Sequence, residues 1–458
     1  MMHHLLNSCI GVWGYGAVGK SFIRFLRTQG YVATIHLFDD HGIASDIVTI
    51  LEHDNVRVHT QQEQFLAAVE TLLPSPGVAV PRSVRERLLI GNEYNLFRSL
   101  WPGKIVAITG TIGKTTVTSL IAHLLKAAGI SVRMGGNIGI PLLDLLPGAT
   151  DDMMAVIELS SFQLEYGIDQ GPDVAVITNC YPNHLDRHGN FDAYVHAKMN
   201  LIAAQSDGQQ ALLPYSLKPY LPPLSQGVNC AWMWFGATID ELDPLSYNLI
   251  FWRRENVVMK SNGMISVCCG DAPATKSFIE NWLIAYAVLD VMRVPIIATG
   301  DITIPDHRLA HIMTVQGIAF FNDSKATVPQ ATLAAVQKLI HEYQRAPVLF
   351  LGGLSKGVDR KPLIYALAQQ VRHLVVFGRE AEQLATWARE AGITVHSDET
   401  LEGAFYTYVK TAACEHDVVL FSPSGSSYDL FHDFQDRGNC FVQLVHAFAT
   451  VDGIPSVN

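Results

Sequence analysis

The sequence predicts an α/β protein of three domains, each an open sheet flanked by helices. Three observations carry this expectation. The chain has 458 residues, and domains run to roughly 150 residues each. Short apolar runs read as strands and alternate with helical stretches along its length. Two of those strands lead into glycine-rich turns that open helices, at Gly14–Gly19 and Gly110–Thr115, a layout suited to phosphate.

Composition narrows the class. Hydrophobic residues make up 49% of the chain and charged residues 16%, ample for several cores and too little charge for a disordered protein. The net charge of −11 argues against general affinity for nucleic acid or anionic membrane, local basic pockets aside. Met1-Met2-His3-His4-Leu5-Leu6 shows no basic stretch before a long apolar run, so no signal peptide is expected. No segment approaches the ~18 apolar residues of a membrane span. Cys9, Cys180, Cys230, Cys268, Cys269, Cys414 and Cys440 are odd in number and form no C-x-x-C. They read as reduced thiols of a cytoplasmic protein, not a disulfide frame or a zinc site. The 18 histidines show no H-E-x-x-H and read mostly as surface or core residues.

The first domain, expected over residues 1–98, opens with the strand Cys9 to Trp13. Gly14-Tyr15-Gly16-Ala17-Val18-Gly19 follows, then a helix over Lys20 to Gln29 and a strand over Thr34 to Phe38 that ends at Asp39-Asp40. Asp39 lies twenty residues past Gly19. This strand, G-x-G-x-x-G, helix, strand, acid series points to a nucleotide-type ligand at Gly16, Ala17, Val18 and Asp39. A dinucleotide is the default, and the same scaffold holds any diphosphate. Leu73-Pro74-Ser75-Pro76-Gly77 is a breaker-rich loop, and Trp101-Pro102-Gly103 reads as a linker.

The second domain, expected over 99–295, starts at the strand Ile105-Val106-Ala107-Ile108-Thr109. The turn Gly110-Thr111-Ile112-Gly113-Lys114-Thr115-Thr116 and a helix from Val117 to Ala128 follow. Backbone N–H groups of such a turn wrap phosphates, Lys114 offsets their charge, and the Thr115 hydroxyl reaches Mg²⁺. The usual G-x-x-x-x-G-K-S/T would place a glycine at 108, where Ile108 stands; the glycine is at Gly110, so the cradle is short. Further strands are expected at Ala155–Ile157 and Val174–Ile177. A small antiparallel addition is expected from Asp207 to Cys269, where Trp, Tyr and Pro are frequent.

The third domain, expected over 296–458, has strands at Ile318–Phe321, Val348–Leu351, Leu374–Phe377 and Val418–Phe421. Polar loops follow their ends: Asn322-Asp323-Ser324-Lys325, Gly352-Gly353 and Ser422 to Ser427. In open α/β sheets, ligands bind beyond the carboxyl ends of the strands.

Several side chains could carry chemistry. Glu158 closes a strand beside the phosphate loop and suits a magnesium ligand. Its plainer role is a helix N-terminal acid, but Ser160-Ser161 could cap that helix without it. The loop Thr178 to His188 gathers histidine, acid and arginine. His184 could meet metal or phosphate, though a lone loop histidine usually does neither. Lys198 lies in a helix from Phe191 to Ala204, where most lysines are solvated.

Taken together these residues resemble a known family, the Mur ligases. The match runs through Gly110-Thr111-Ile112-Gly113-Lys114-Thr115, Gly135-Gly136-Asn137-Ile138-Gly139 and Glu158-Leu159-Ser160-Ser161-Phe162-Gln163-Leu164. It continues through Asn183-His184-Leu185-Asp186-Arg187-His188, Ala197-Lys198, His307-Arg308 and Asn322-Asp323-Ser324-Lys325-Ala326-Thr327. Within the family, Ser75-Pro76-Gly77, Leu351 to Gly357, Ser422 through Phe434 and Arg437-Gly438 point to the branch that adds D-glutamate.

The resemblance implies a Rossmann-like N-terminal domain for the uridine diphosphate of the substrate, a central P-loop ATPase-type domain for ATP and magnesium, and a C-terminal Rossmann-like domain for the amino acid. It implies an ATP-dependent amide ligase that adds D-glutamate to UDP-N-acetylmuramoyl-L-alanine through an acyl phosphate in peptidoglycan synthesis. Lys114, Glu158, His184 and Lys198 would be catalytic. Thr115 and Glu158 would hold one Mg²⁺, and His184 with a carbamylated Lys198 a second. Gly110, Thr111, Gly113, Lys114, Thr115, Thr116, Asn281, Arg308, Asp323 and Lys325 would contact ATP. Gly16, Ala17, Val18, Asp39, Asn137 and His184 would contact the UDP substrate; Thr327, Lys356, Ser427 and Phe434 would contact D-glutamate. A cytoplasmic monomer is expected.

Five positions depart from the family pattern: Ile112 and Asn183 replace polar and acidic residues, Ser277-Phe278 replaces a His-Asn pair, and Arg360 stands where an aromatic is common. Other readings are a sibling or folylpolyglutamate-type ligase, a nicotinamide dehydrogenase built on Gly14–Gly19, and a non-catalytic nucleotide-binding regulator.

Overall fold

A computed structural model of the protein describes residues 5–137, 139–220, 230–236, 250–254, 257–261, 265–267, 278–296 and 306–450. Ile138, Ser277, the Cys268–Cys269 pair and much of the segment after Asp207 lie outside the described residues. Two compact units form: Met1–Cys180 with Val195–Thr303, and Tyr181–Tyr194 with Ile304–Asn458.

The first unit holds two sheets. Strands β1 (Ile10–Trp13), β2 (Ile35–Phe38), β3 (Val56–His59), β4 (Thr71–Pro74) and β5 (Leu89–Ile90) pair in parallel in the order β3-β2-β1-β4-β5. The order reverses on either side of β1, so a crevice opens at its carboxyl end, where the first glycine motif sits. The helix there runs Ala17–Thr28, starting inside the motif and not at Lys20 as expected. Gly19 allows this, because a Cβ at that position would collide with the Gly14 carbonyl.

The second sheet contains β6 (Lys104–Thr109), β7 (Val132–Gly136), β8 (Met154–Glu158), β9 (Val174–Ile177), β10 (Gln210–Pro214), β11 (Ala231–Gly236), β12 (Ile250–Arg254), β13 (Val257–Ser261) and β14 (Ile265–Val267). Their order is β14-β13-β12-β11-β10-β9-β6-β8-β7. The region after Asp207 differs from expectation. Among the described residues of this region, only β12, β13 and β14 pair antiparallel; β10, β11 and β12 continue the parallel sheet. The apolar run Ala211-Leu212-Leu213 is fully buried, the mark of a strand covered on both faces. The helix Ile279–Val291 is buried from Asn281 through Leu289 and packs against the helix Lys114–Ala127. A helix that is apolar all round is a core helix.

The second unit carries β15 (Ala310–Val315), β16 (Ile318–Asn322), β17 (Val348–Gly352), β18 (His373–Phe377), β19 (Val395–Asp398) and β20 (Val418–Phe421), in the order β15-β16-β20-β17-β18-β19. All neighbours are parallel except the β15–β16 hairpin. Its two-residue turn, Gln316-Gly317, has φ of 50° and 78°, the pattern of a type I′ turn. Each face of this sheet carries a separate apolar cluster, as a doubly covered sheet requires.

Candidate active site

The phosphate loop joins β6 to the helix Lys114–Ala127. Gly110 has φ of 145° and Gly113, the helix N-cap, has φ of 81°, conformations that L side chains rarely adopt. Space enforces the same choice: a Cβ on Gly110 would strike the Thr178 side chain, and one on Gly113 would lie 2.7 Å from Asn281 Oδ1. Asn281 thus stands against the loop.

The loop is fastened from β9. Thr111 N donates to Asn179 O at 3.0 Å, Ile112 N donates to Asn179 Oδ1 at 2.9 Å, and Asn179 Nδ2 donates to Ile112 O at 3.0 Å. Thr178 Oγ1 also donates to Ile112 O, at 2.7 Å. Ile112 therefore needs no polar side chain to hold its place, because its backbone is gripped from the neighbouring strand. Lys114 Nζ arches over the loop and donates to the Gly110 and Thr111 carbonyls at 2.9 and 3.0 Å.

Glu158 ends β8, whose register sets it beside Ile108 of β6 and Gly136 of β7. It is 2% exposed. Thr115 Oγ1 donates to its Oε2 at 2.6 Å, and Asn137 Nδ2 donates to its Oε1 at 2.8 Å. The following helix is capped without it: Ser160 Oγ accepts from Gln163 N, and Gln163 Oε1 accepts from Ser160 N. That capping box leaves the Glu158 carboxylate committed to the phosphate loop.

Lys198 belongs to the helix Phe191–Ala203 and is not solvated; it is 1% exposed. Its Nζ donates to Gly110 O at 2.8 Å. Burial, helped by the Lys114 charge, pushes its pKa down to about 7. A lysine neutral in about half of its molecules near pH 7 can act as a nucleophilic amine. Cys180, close to both lysines, is pushed up to about 11 by burial and stays a thiol.

At the first glycine motif, Asp39 Oδ2 accepts from Tyr15 N at 2.7 Å and Asp39 Oδ1 from His41 N at 2.8 Å. The acid ties the loop after β1 to the loop after β2, beside Gly16, Ala17 and Val18. Trp13 Nε1 donates to the next acid, Asp40, at 2.9 Å.

The remaining expected residues lie in the second unit. His184 has φ of 53° and begins the short helix Leu185–His188. Asp323, next to the end of β16, accepts from Ser422 Oγ at 2.8 Å and Leu309 N at 3.1 Å. Burial raises its pKa to about 7. Lys325 Nζ sits 3.8 Å from the centre of the Phe434 ring, a cation–π contact. Arg308 donates to the Asp306 carbonyl at 3.1 Å. Thr327 follows Ala326, whose carbonyl accepts from Ser424 N at 3.0 Å, joining the loops after β16 and β20. Ser427 is buried beyond Ser426, which pairs with Leu354 in a bridge. Lys356 follows Leu354 on the loop after β17, with φ of 54°.

The structure thus gathers Lys114, Thr115, Asn137, Glu158 and Lys198 around one loop, and Asp323, Lys325, Thr327, Ser427 and Phe434 around the strand ends of the second unit. Sequence reasoning overlooked Glu93, Asn179 and Glu380. Asn179 had a usable signal, a polar residue directly after the β9 apolar run. Glu93 and Glu380 had none, since each acts on a segment far away in the chain. Arg360, noted only as a departure, is a buried anchor.

Comparison with known proteins agrees with this architecture. The family description "Mur ligase middle domain" matches residues 108–234, and "Mur ligase, glutamate ligase domain" matches 307–425. A UDP-N-acetylmuramoylalanine--D-glutamate ligase of Desulfotalea psychrophila is 34% identical, with 96% of each chain covered. One from Legionella pneumophila is 32% identical over 95% of this chain and 98% of its own. Among solved structures, a UDP-N-acetylmuramate-alanine ligase from Thermotoga maritima superposes with a TM-score of 0.58 at 17% identity, covering 96% of this chain and all of its own. A bifunctional folylpolyglutamate synthase/dihydrofolate synthase does so at 0.56 and 16% identity, covering 77% and 94%; these two show the shared fold. The chain belongs to the Mur ligase family and is an ATP-dependent ligase. The dehydrogenase reading of Gly14–Gly19 is thereby set aside.

Proposed function

We propose that the chain joins D-glutamate to UDP-N-acetylmuramoyl-L-alanine in the cytoplasm, using ATP, as a step of peptidoglycan synthesis. The observation that carries this reading is Glu158, a buried acid held between Thr115 and Asn137 at the phosphate loop, in a chain whose near full-length relatives are named for that reaction. The reading divides the chain at residues 1–98, 99–295 and 296–458 for the UDP substrate, ATP and the amino acid, and takes it as a monomer.

A free carboxylate is a poor electrophile, so the alanyl carboxylate first takes the γ-phosphoryl group of ATP. The amine of D-glutamate then attacks the acyl phosphate, the C–N bond forms, and phosphate leaves with a proton lost from nitrogen. Backbone N–H groups from Gly110 to Thr116 and the Lys114 ammonium would hold the phosphates and offset developing charge. Arg308, Asp323 and Lys325 would complete the ATP site, with Asn281 near the adenine. Gly16, Ala17, Val18, Asp39, Asn137 and His184 would bind the UDP substrate, and Thr327, Lys356, Ser427 and Phe434 D-glutamate.

The oxygen donors fit Mg²⁺, which takes one or two carboxylates and completes its shell with water and phosphate. Thr115 and Glu158 would hold one ion; His184 and Lys198 would hold a second. The ions supply charge neutralisation on the transferring phosphoryl group. Lys198 suits carbamylation: its neutral amine adds to CO₂ and releases a proton, converting a buried cation into a carboxylate-like anion.

The test is ADP release with UDP-N-acetylmuramoyl-L-alanine against a panel of amino acids. Release that depends on D-glutamate is expected. Release that is indifferent to D-glutamate, or specific for another amino acid, would end this reading.

A further inference from the structure

The loop Gly352–Gly357 leaves the carboxyl end of β17 and carries Lys356. It is conformationally demanding: Gly353, Lys356 and Gly357 have φ of 71°, 54° and 76°. Such backbone persists only where the surroundings over-determine it. The surroundings here are two side chains. Arg360 is 1% exposed and donates from Nη1 to Gly352 O at 2.9 Å and from Nη2 to Gly353 O at 2.9 Å. Its Nη2 also meets Glu380 Oε2 at 2.5 Å. The other oxygen of Glu380 accepts from Ser355 N at 3.0 Å and from Ser355 Oγ at 3.2 Å. Leu354 is paired with Ser426 through backbone bonds of 2.9 and 2.8 Å. Every residue from Gly352 to Ser355 is therefore gripped, and Lys356 is the next one along.

We propose that buried Arg360 and partly buried Glu380 form a strut that positions Lys356, and so sets affinity for the amino-acid substrate. The strut rests on the reading of Lys356 as a D-glutamate ligand. An apolar side chain at 360 could fill the same core volume, but it would take the Arg360 donors from the Gly352 and Gly353 carbonyls and from Glu380 Oε2. Replacing a buried ion pair as a whole by apolar residues costs little net stability, whereas removing one partner alone is destabilising. Loss of the whole pair is therefore expected to show in substrate affinity more than in folding. Arg360 and Glu380 are positioning residues and touch no reacting atom.

The variants Arg360→Gln, Glu380→Gln and the double Arg360→Met/Glu380→Gln test this. KM is measured separately for D-glutamate, ATP and UDP-N-acetylmuramoyl-L-alanine, with Tm and amide exchange of the loop. KM for D-glutamate should rise ~10-fold or more while the other two stay within ~2-fold. Arg360→Lys should recover part of the loss. The double variant, free of an unpaired buried charge, should regain Tm yet keep the raised KM and faster exchange at 352–357. Folded variants with an unchanged KM for D-glutamate, three KM values moving together, or unchanged loop exchange would overturn the strut. The wild type is run beside them on the amino-acid panel. If it uses a different amino acid, the proposed function falls, and the strut is judged on KM for that amino acid and on loop exchange.

Discussion

Single residues in this protein are set by their surroundings more than by their type. Glu93 opens the helix Glu93–Leu100 at 5% exposure, and its Oε1 accepts from Leu142 N at 2.8 Å. Burial pushes its pKa up to about 7, against the pull of the Leu142 and Leu143 N–H groups. Between the ordinary value of 4.5 and about 7, the folded chain then holds more protons on this group than the unfolded chain. Stability from this group is present below that window and falls as pH rises through it. A Glu93→Gln variant should gain on the wild type between about pH 5 and about pH 8, by on the order of 3 kcal/mol at most. Urea midpoints at the two pH values check this; a constant difference would refute it. Lys198 teaches the same lesson. By type it is a surface lysine of a helix, yet the fold buries its ammonium against Gly110. No local pattern at Lys198 announces that burial, because the groups that exclude water come from β6 and its loop.

At the scale of elements, the phosphate loop was legible, since its strand, glycines, lysine and helix are contiguous. Its fastening was not. Asn179 grips Ile112 across 67 residues of sequence, and only the adjacency of β6 and β9 creates that contact. An Asn179→Ala variant loses two hydrogen bonds to the loop, each worth ~1 kcal/mol. KM for ATP should rise ~10-fold with KM for the UDP substrate unchanged; equal shifts in both would refute the assignment. The parallel strands β10 and β11 show the opposite case. Their Trp, Tyr and Pro neighbours suggested a separate antiparallel piece. Burial of Ala211, Leu212 and Leu213 instead carries the parallel sheet onward, since strands covered on both faces have no polar alternation to read.

At the scale of the whole chain, the expected chemistry draws on elements far apart in sequence. Thr115 comes from a helix N-terminus, Glu158 from a strand end, and Asp323 and Lys325 from a loop of the other unit. If Thr115 and Glu158 hold Mg²⁺, excess EDTA should abolish ADP release and added Mg²⁺ should restore it. Tm without nucleotide should stay unchanged, because Thr115, Asn137 and Glu158 already satisfy one another. A large fall in Tm with EDTA would point to a structural metal instead.

By itself the sequence determined the α/β class, the two glycine-rich turns, the strands that end in polar loops and the family to which the chain belongs. Each is written in contiguous residues, where apolar period, glycine placement and residue order carry the signal. Tertiary structure decided which side chains are buried and which loops are held from a distance. Lys198, Glu93, Asn179 and the Arg360–Glu380 pair gain their properties from neighbours 20 to 89 residues away, from Glu380 beside Arg360 to Thr109 beside Lys198. Burial and hydrogen bonding are made by partners in space, and sheet order, not chain order, brings those partners together.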